Sequence, residues 1–237
     1  MTYQLIHGDC LDVDWPQVDA IITDVPYETT GNSWDVIIPF PVMWTKAEKA
    51  LQNKGAFITT ASQPFTSALI ISNVKNFNCE WIWNKKLAGN GIQAKRKPLK
   101  IHENIVVFYG EYKPQKTKGK ARWKGGIKDN HGTFGGAKSD KVWSDEYYPV
   151  SIIEYSGAGM RSTRVHPTQK PVALYEYLIK TYTNEGDTVL DFCFGSCTTG
   201  EACINTGRNF IGIEKELKYF EIGKERMRLA QDAHCKN

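Results

Sequence analysis

Blocks of apolar residues separated by polar turns run the length of this chain. Gln4-Leu5-Ile6 is a short apolar run ending in the turn His7-Gly8-Asp9-Cys10, and Val18-Asp19-Ala20-Ile21-Ile22-Thr23 reads as a buried strand of a parallel sheet. Phe40 to Asn53 follows helical spacing, with Phe40, Met43, Trp44, Ala47, Ala50 and Leu51 on one face and Lys54-Gly55 as the stop. Ala56–Thr60 predicts a strand, Pro64–Val74 a helix, and Glu80–Trp83 and Asn104–Tyr109 two more strands. Helical spacing returns after Pro171 with Val172, Tyr175, Leu178, Ile179 and Tyr182. Asn184–Asp187 then turns into the strand Thr188-Val189-Leu190. A glycine turn from Gly195 to Gly200 opens a helix through Asn205 that Gly207 ends, and the strand Asn209–Ile213 finishes in Glu214. A charged amphipathic helix closes the chain. This alternation predicts an α/β fold, a parallel or mixed sheet with helices on both faces, without internal repeats.

Between Gly110 and about Gly159 the alternation fails. Glycines are mixed there with lysines and with Trp123, Phe134 and Trp143, which predicts an inserted loop region, mobile without a partner. Charge changes the picture here. From Lys113 to Lys141, the basic residues Lys113, Lys116, Lys118, Lys120, Arg122, Lys124, Lys128, Lys138 and Lys141 stand against only Asp129 and Asp140, while the whole chain is net +4, so the remainder is net negative. Lys95, Arg96, Lys97 and Lys100 after Gly89-Asn90-Gly91 form a second basic loop. Such segments suit phosphate contacts, and a solvated lysine-rich loop is the plain alternative.

The 237 residues, 41% hydrophobic and 24% charged, suit one α/β domain with an insertion. No apolar run reaches the length of a membrane span, and the start has no basic-then-apolar signal pattern, so a cytoplasmic protein is expected. The six cysteines, Cys10, Cys79, Cys193, Cys197, Cys203 and Cys235, make no CxxC pair and no zinc spacing, which predicts reduced thiols and no metal site. A homodimer is left open.

The candidate chemistry lies where predicted strands end. Asp24-Val25-Pro26-Tyr27 follows the Val18–Thr23 strand, facing the crevice in which open α/β sheets bind ligands. Asp24 and a neighbouring carbonyl can accept hydrogen bonds from an amino group, and Tyr27 offers a face for a base to stack on. A strand followed by a proline turn, with Asp24 as a cap, is the alternative. Strand, glycine turn, helix, strand and acid, ending in Glu214, is a unit that binds nucleotide-like cofactors, or an ordinary βαβ crossover. The turn is not GxGxxG, so a dinucleotide is not indicated.

Taken together, Asp24-Val25-Pro26-Tyr27, the basic insert, His166-Pro167-Thr168-Gln169-Lys170-Pro171, and Asp191-Phe192-Cys193-Phe194-Gly195-Ser196-Cys197-Thr198-Thr199 occur in a telling order. The chain resembles the beta group of S-adenosylmethionine-dependent DNA amino-methyltransferases, particularly the compact bacteriophage-type adenine methylases. The resemblance covers nearly everything outside residues 110–160. It implies a Rossmann-like methyltransferase sheet flanked by helices with circularly permuted motif order, residues 1–109 and 160–237 forming that domain. Residues 110–159 would be an inserted target-recognition region, and DNA the partner.

The resemblance also implies roles. Glu214 would hold cofactor ribose hydroxyls, and Asp9 the adenine amino group, with backbone contact from Cys10. Thr168, Gln169 and Lys170 would lie over the methionine part, the lysine suiting the cofactor carboxylate. Asp191, Phe192, Phe194, Gly195 and Ser196 would line the floor. Asp24 and the Val25 carbonyl would bind the target amino group, with Pro26 completing the motif and Tyr27 stacking on the flipped base. Lys95, Arg96, Lys97, Lys116, Lys118, Lys120, Arg122 and Lys124 would contact DNA. The implied reaction is methyl transfer to adenine N6, with N4-cytosine transfer or an inactive DNA-binding relative as alternatives. Val25, Phe192, Cys193 and Cys197 depart from the family pattern; Cys197 replaces a glycine, at a cost only if its backbone needs positive φ. The His102-Glu103 pair reads as structural.

Overall fold

A computed structural model of the chain describes residues 1–28, 35–126, 139–156 and 169–234. It forms two compact units, Met1–Lys113 with Ser151–Asn237, and Pro114–Val150. In the first unit, chain order runs β1 (Tyr3–His7), β2 (Val18–Thr23), α1 (Phe40–Ala50), β3 (Leu51–Ala61), α2 (Phe65–Ser72), β4 (Phe77–Asn84) and β5 (His102–Tyr109). The second unit contributes β6 (Thr117–Gly125) and β7 (Lys141–Tyr147). The first unit resumes with β8 (Ile152–Glu154), α3 (Val172–Tyr182), β9 (Thr188–Asp191), α4 (Thr198–Thr206), β10 (Asn209–Glu214) and α5 (Leu217–His234).

Eight strands make one sheet in the order β1-β10-β9-β2-β3-β5-β4-β8, parallel throughout except for β5, which is antiparallel to both neighbours. Alternate residues of the central strands serve opposite faces, as a pleat with period two requires. Ala20, Ile22, Ile58, Ile105 and Val107 pack with Leu174 and Leu178 of α3, Cys203 of α4 and Met227 of α5. Ile21, Phe57, Val106 and Phe108 pack with Met43, Trp44 and Ala47 of α1 and Leu69 of α2. Helices therefore cover both faces, the three-layer arrangement expected when a largely parallel sheet is buried on both sides. Among the described residues, no helix is long and apolar enough to cross a membrane.

Two expectations are corrected. The helix expected to run from Phe40 to Asn53 ends at Ala50, and Leu51 is already extended, with φ −71° and ψ 120°. The apolar side chain of Leu51 prolongs the helical stripe without prolonging the helix. Gly55 does not stop a helix: a Cβ there would lie 2.5 Å from the Asp19 carbonyl oxygen, so glycine lets β3 pass close to β2.

The second correction concerns the segment read as an unstructured loop. β6 and β7 pair antiparallel, with Trp123 opposite Trp143. The two indoles meet edge-on at 5.5 Å, and Arg122 and Lys124 lie 4.9 and 3.4 Å from the centre of the Tyr147 ring. Ring contacts and cation–π contacts hold this ribbon, so its strands lack the buried, alternating face by which strands are recognised. Beyond it, β8 joins the edge of the main sheet, parallel to β4.

Candidate active site

The carboxyl ends of the parallel strands converge on one cavity of about 970 Å³. β1 delivers Asp9 and Cys10, β2 delivers Asp24 to Tyr27, and β3 delivers Ser62. Lys85 follows β4, Asp191 ends β9 ahead of the turn 192–196, and Glu214 ends β10. Because β5 runs the other way, it brings Glu103 from its amino end. Gln169, Lys170, Pro171 and Tyr175 complete the wall where α3 begins.

At one end, Asp24 is held on both carboxylate oxygens. Oδ2 accepts from Lys170 Nζ at 2.7 Å, and Oδ1 accepts from the hydroxyls of Tyr27 and Thr60. The loop behind it is pinned by Asp35, whose Oδ1 accepts the backbone N–H groups of Tyr27 and Glu28, each at 2.9 Å. The Tyr27 ring stacks on Phe65 at 5.3 Å. Lys170 also lies 3.5 Å from Glu103 Oε2, and Lys85 donates to Glu103 Oε1 at 2.7 Å. Glu103 Oε2 is buried without a hydrogen bond among the described residues, so its 3.5 Å approach to Lys170 is a Coulombic contact only.

Two carboxylates and two ammonium groups thus balance along one wall of the cavity, Lys170 and Glu103 the more buried pair. Burial alone would pull the Lys170 pKa down, but Asp24 and Glu103 outweigh it and hold the ammonium above its ordinary range. Burial likewise opposes the charge on Glu103, and Lys170 and Lys85 overcome it, keeping that carboxyl below its usual value. The Tyr27 phenol is pushed up by burial and then by the charges of Asp24 and Glu103, so it stays protonated as a donor.

At the other end, Asp191 sits 3% exposed beneath the glycine turn. It accepts from Thr23 Oγ1 at 2.7 Å, Thr199 Oγ1 at 2.6 Å and the Cys193 amide at 3.1 Å. Burial dominates these bonds and raises its pKa from 3.8 to about 7. The folded chain therefore keeps a proton there that the unfolded chain releases, and stability attributable to this group falls as pH rises from about 4 to about 7. Urea unfolding across that interval should show the native chain losing stability relative to Asp191→Asn, with no further divergence above pH 8. Parallel pH profiles would remove this group from the balance.

Glu214 accepts the amides of Gly195 and Glu216, each at 2.8 Å, and burial raises its pKa. Asp9 accepts the Leu11 amide at 2.9 Å and pairs with Lys215 at 2.9 Å; burial opposes its charge, but these two partners keep its pKa lowered. Phe192 stacks against Trp15 at 4.2 Å, and the neighbouring Cys10 thiol and burial push the Cys193 thiol well above its ordinary pKa. Cys197 has φ 58° and ψ 38°, so the position does require the left-handed backbone, at a cost of about 1–2 kcal/mol for a side chain. Its side chain is accommodated beside Gly200, where an added Cβ would lie 2.7 Å from the Cys197 sulfur, and beside Gly223, where one would lie 3.2 Å from its Cβ. Arg226 of α5 fixes the turn, donating to the Ser196 carbonyl at 2.7 Å and to Glu201 at 2.6 Å.

This donor set fits S-adenosylmethionine. Carboxylates at Asp9 and Glu214 suit amino and hydroxyl hydrogens, and Asp191 suits an ammonium. Lys170, expected at the cofactor carboxylate, is engaged by Asp24 and Glu103.

Asp9, Cys10, Gln169, Lys170, Asp191, Phe192, Phe194, Gly195, Ser196 and Glu214 line the same cavity as Asp24, Val25, Pro26 and Tyr27. Phe192 and Phe194 are almost fully buried and contribute mainly to the core. Thr168 lies outside the described residues. Lys95, Arg96 and Lys97 stand exposed on the β4–β5 loop, whose stem, Leu87 to Gly89, reaches the cavity. Lys116, Lys118, Lys120, Arg122 and Lys124 belong to the ribbon of the second unit.

Sequence reasoning missed Thr60, Lys85 and Arg226, which carry no local motif. Glu103 was legible as a pair with His102 but is more than structural: it lines the cavity and faces Lys170.

Comparison with known proteins gives the same direction. Residues 18–225 match the N6/N4 methyltransferase family, described as DNA methylase. The chain is 28% identical over 260 residues to the DNA adenine methyltransferase YhdJ of Escherichia coli, covering 95% of this chain and 83% of the relative. The solved M1.HpyAVI–SAM complex is 28% identical with a TM-score of 0.63, covering 95% of this chain and 99% of that one. The cytosine-N4-specific PvuII DNA methyltransferase is 15% identical, with a TM-score of 0.67 over 100% of this chain and 92% of its own; it shares the fold. With the family matched over most of its length and a cavity suited to the cofactor, the chain belongs to the N6/N4 DNA methylases and is a DNA methyltransferase that uses S-adenosylmethionine.

Proposed function

We propose that this methyltransferase modifies the N6 amino group of adenine in DNA, with the base drawn out of the duplex toward Asp24. The observation that carries the reading is the Asp24 carboxylate at the end of β2, opening on the same cavity as Asp191, Gly195 and Glu214. The identity with an adenine-specific relative over 95% of the chain supports the choice of base.

In this reading Asp24 and the Val25 carbonyl accept the two amino hydrogens. That drives the nitrogen toward a tetrahedral arrangement with its lone pair free, and the carboxylate stabilises the positive charge that develops there. Val25 in place of proline keeps the carbonyl and adds an N–H that reaches Thr59 Oγ1 at 3.5 Å. The bound cofactor supplies an electrophilic methyl group. Asp9, Glu214, Asp191, Gln169 and the 192–196 turn are the residues that would hold it. Thr168 belongs to the same expected set. Lys95, Arg96 and Lys97, with the ribbon residues Lys116, Lys118, Lys120, Arg122 and Lys124, would neutralise phosphates.

The test supplies methyl-tritiated S-adenosylmethionine with unmethylated DNA of mixed sequence and asks which base keeps the label. Label in adenine is expected. Label confined to cytosine would replace this reading with N4-cytosine transfer on the same scaffold.

A further inference from the structure

The loop between β4 and β5 departs from the rim of the cavity, yet the reaction described above gives Ile92 at its tip no role. Its stem is clamped. Lys85 N donates to the Ile101 carbonyl at 2.7 Å, and Asn90 bridges the two arms, donating to the Pro98 carbonyl at 3.0 Å and accepting from Lys100 N at 2.7 Å. Beyond the clamp the chain coils tightly, Gln93 N bonding the Asn90 carbonyl at 2.9 Å and Lys97 N the Gln93 carbonyl at 2.9 Å. A braced stalk therefore carries a short, preformed tip.

Two properties of the tip point to its partner. Ile92 is 104% exposed, more than any other large apolar side chain among the described residues, and burying it against apolar surface would gain about 1.5–3 kcal/mol. From Lys85 to Lys100 there are six basic residues and no acidic one. Lys85 and Lys86 are neutralised by Glu103 and Glu154, whereas Lys95, Arg96 and Lys97 have no ion-pair partner among the described residues. An apolar tip ringed by free cations suits a polyanion with an apolar interior, which is what the base stack of a duplex is. Extracting one base leaves a gap in that stack, and side chains such as isoleucine are the kind that enter base steps.

We propose that residues 91–97 form a wedge: Lys95, Arg96 and Lys97 grip phosphates while Ile92 occupies the stack where the target nucleotide leaves. This rests on the reading that the Asp24 cavity receives a base extracted from duplex DNA. The wedge assists extraction and leaves the chemical step alone, so its loss should be repaired when extraction is made easy.

The test compares the native chain, Ile92→Ser and Ile92→Leu in single-turnover methyl transfer to two duplexes of the target sequence. One is fully paired and the other abasic opposite the target base. Ile92→Ser should slow transfer to the paired duplex by about 10-fold and recover to within about 3-fold on the abasic one, with Ile92→Leu near native on both. Equal rates on the paired duplex, or an equal loss on both, would overturn the wedge alone. No transfer by the native chain to either duplex, or to mixed-sequence DNA, would overturn the methyltransfer reading and the wedge with it.

Discussion

Replacing Asp24 with alanine is expected to lower methyl transfer by about 1,000-fold while leaving cofactor affinity within a few fold. The carboxylate is the charged acceptor at the end of β2, and its neighbours do not replace it: Thr60 and Tyr27 donate to it, and Glu103 reaches it only through Lys170. Asp24→Asn keeps the shape and one acceptor oxygen but loses the charge that answers the developing ammonium, so it should fall between native and alanine. Single-turnover rates give the loss, and calorimetric titration with S-adenosylmethionine checks that the cofactor end is intact. Transfer undiminished in Asp24→Ala would remove Asp24 from the chemistry. A parallel loss of cofactor binding would assign it to the wrong end of the cavity.

Lys170→Met should have the largest effect on stability. The Lys170 side chain is 9% exposed, and its ammonium neutralises Asp24 while standing 3.5 Å from Glu103. Removing one partner of a buried pair typically costs about 3–5 kcal/mol, because the other charge is left uncompensated, and Asp24, 23% exposed and still bonded by Tyr27 and Thr60, softens that cost. Lys85 still neutralises Glu103, so the lower end of that range applies, and the melting temperature should drop by about 10 °C. Adding Glu103→Gln should restore part of the loss.

The pH dependence has a definite sign. In the native chain the Glu103 carboxyl is held below its ordinary 4.5, so its contribution is present above that pH and disappears as pH falls through the lowered value. In Lys170→Met much of that contribution is gone, and the two chains should converge in stability in acid. Differential scanning measurements stepped from pH 7 down to about pH 3 test this. A constant difference between them would mean that Lys170 acts by packing. Both Asp24 oxygens are occupied, so in the proposed reaction an arriving amino group has to displace Lys170 or one of the two hydroxyls.

The parts legible in the sequence were those whose hydrophobic period matches their element. β2, β9, β10 and α3 have uninterrupted apolar faces, and the acids ending β2 and β10 could be read from strand ends alone. The end of α1 could not, because Leu51 continues the stripe past the last helical residue. β6 and β7 were invisible because rings and cations hold them together in place of a buried face. Within the cavity, Asp24 and Glu214 announced themselves, whereas Thr60, Glu103 and Lys85 come from neighbouring strands and matter only through the register that brings β2, β3, β5 and β4 side by side. Arg226 looks like any other basic residue on an amphipathic helix until α5 is seen against the 195–198 turn. The conditional cost at Cys197 needed the backbone angle that only the fold supplies.

The most direct test of adenine transfer at Asp24 is base-resolved sequencing of modified positions in DNA from host cells lacking adenine methylation, expressing either the native chain or Asp24→Ala. The expected result is N6-methyladenine at a recurring sequence in the native sample and none in the variant. Marks on cytosine alone, or the same adenine marks in both samples, would contradict it.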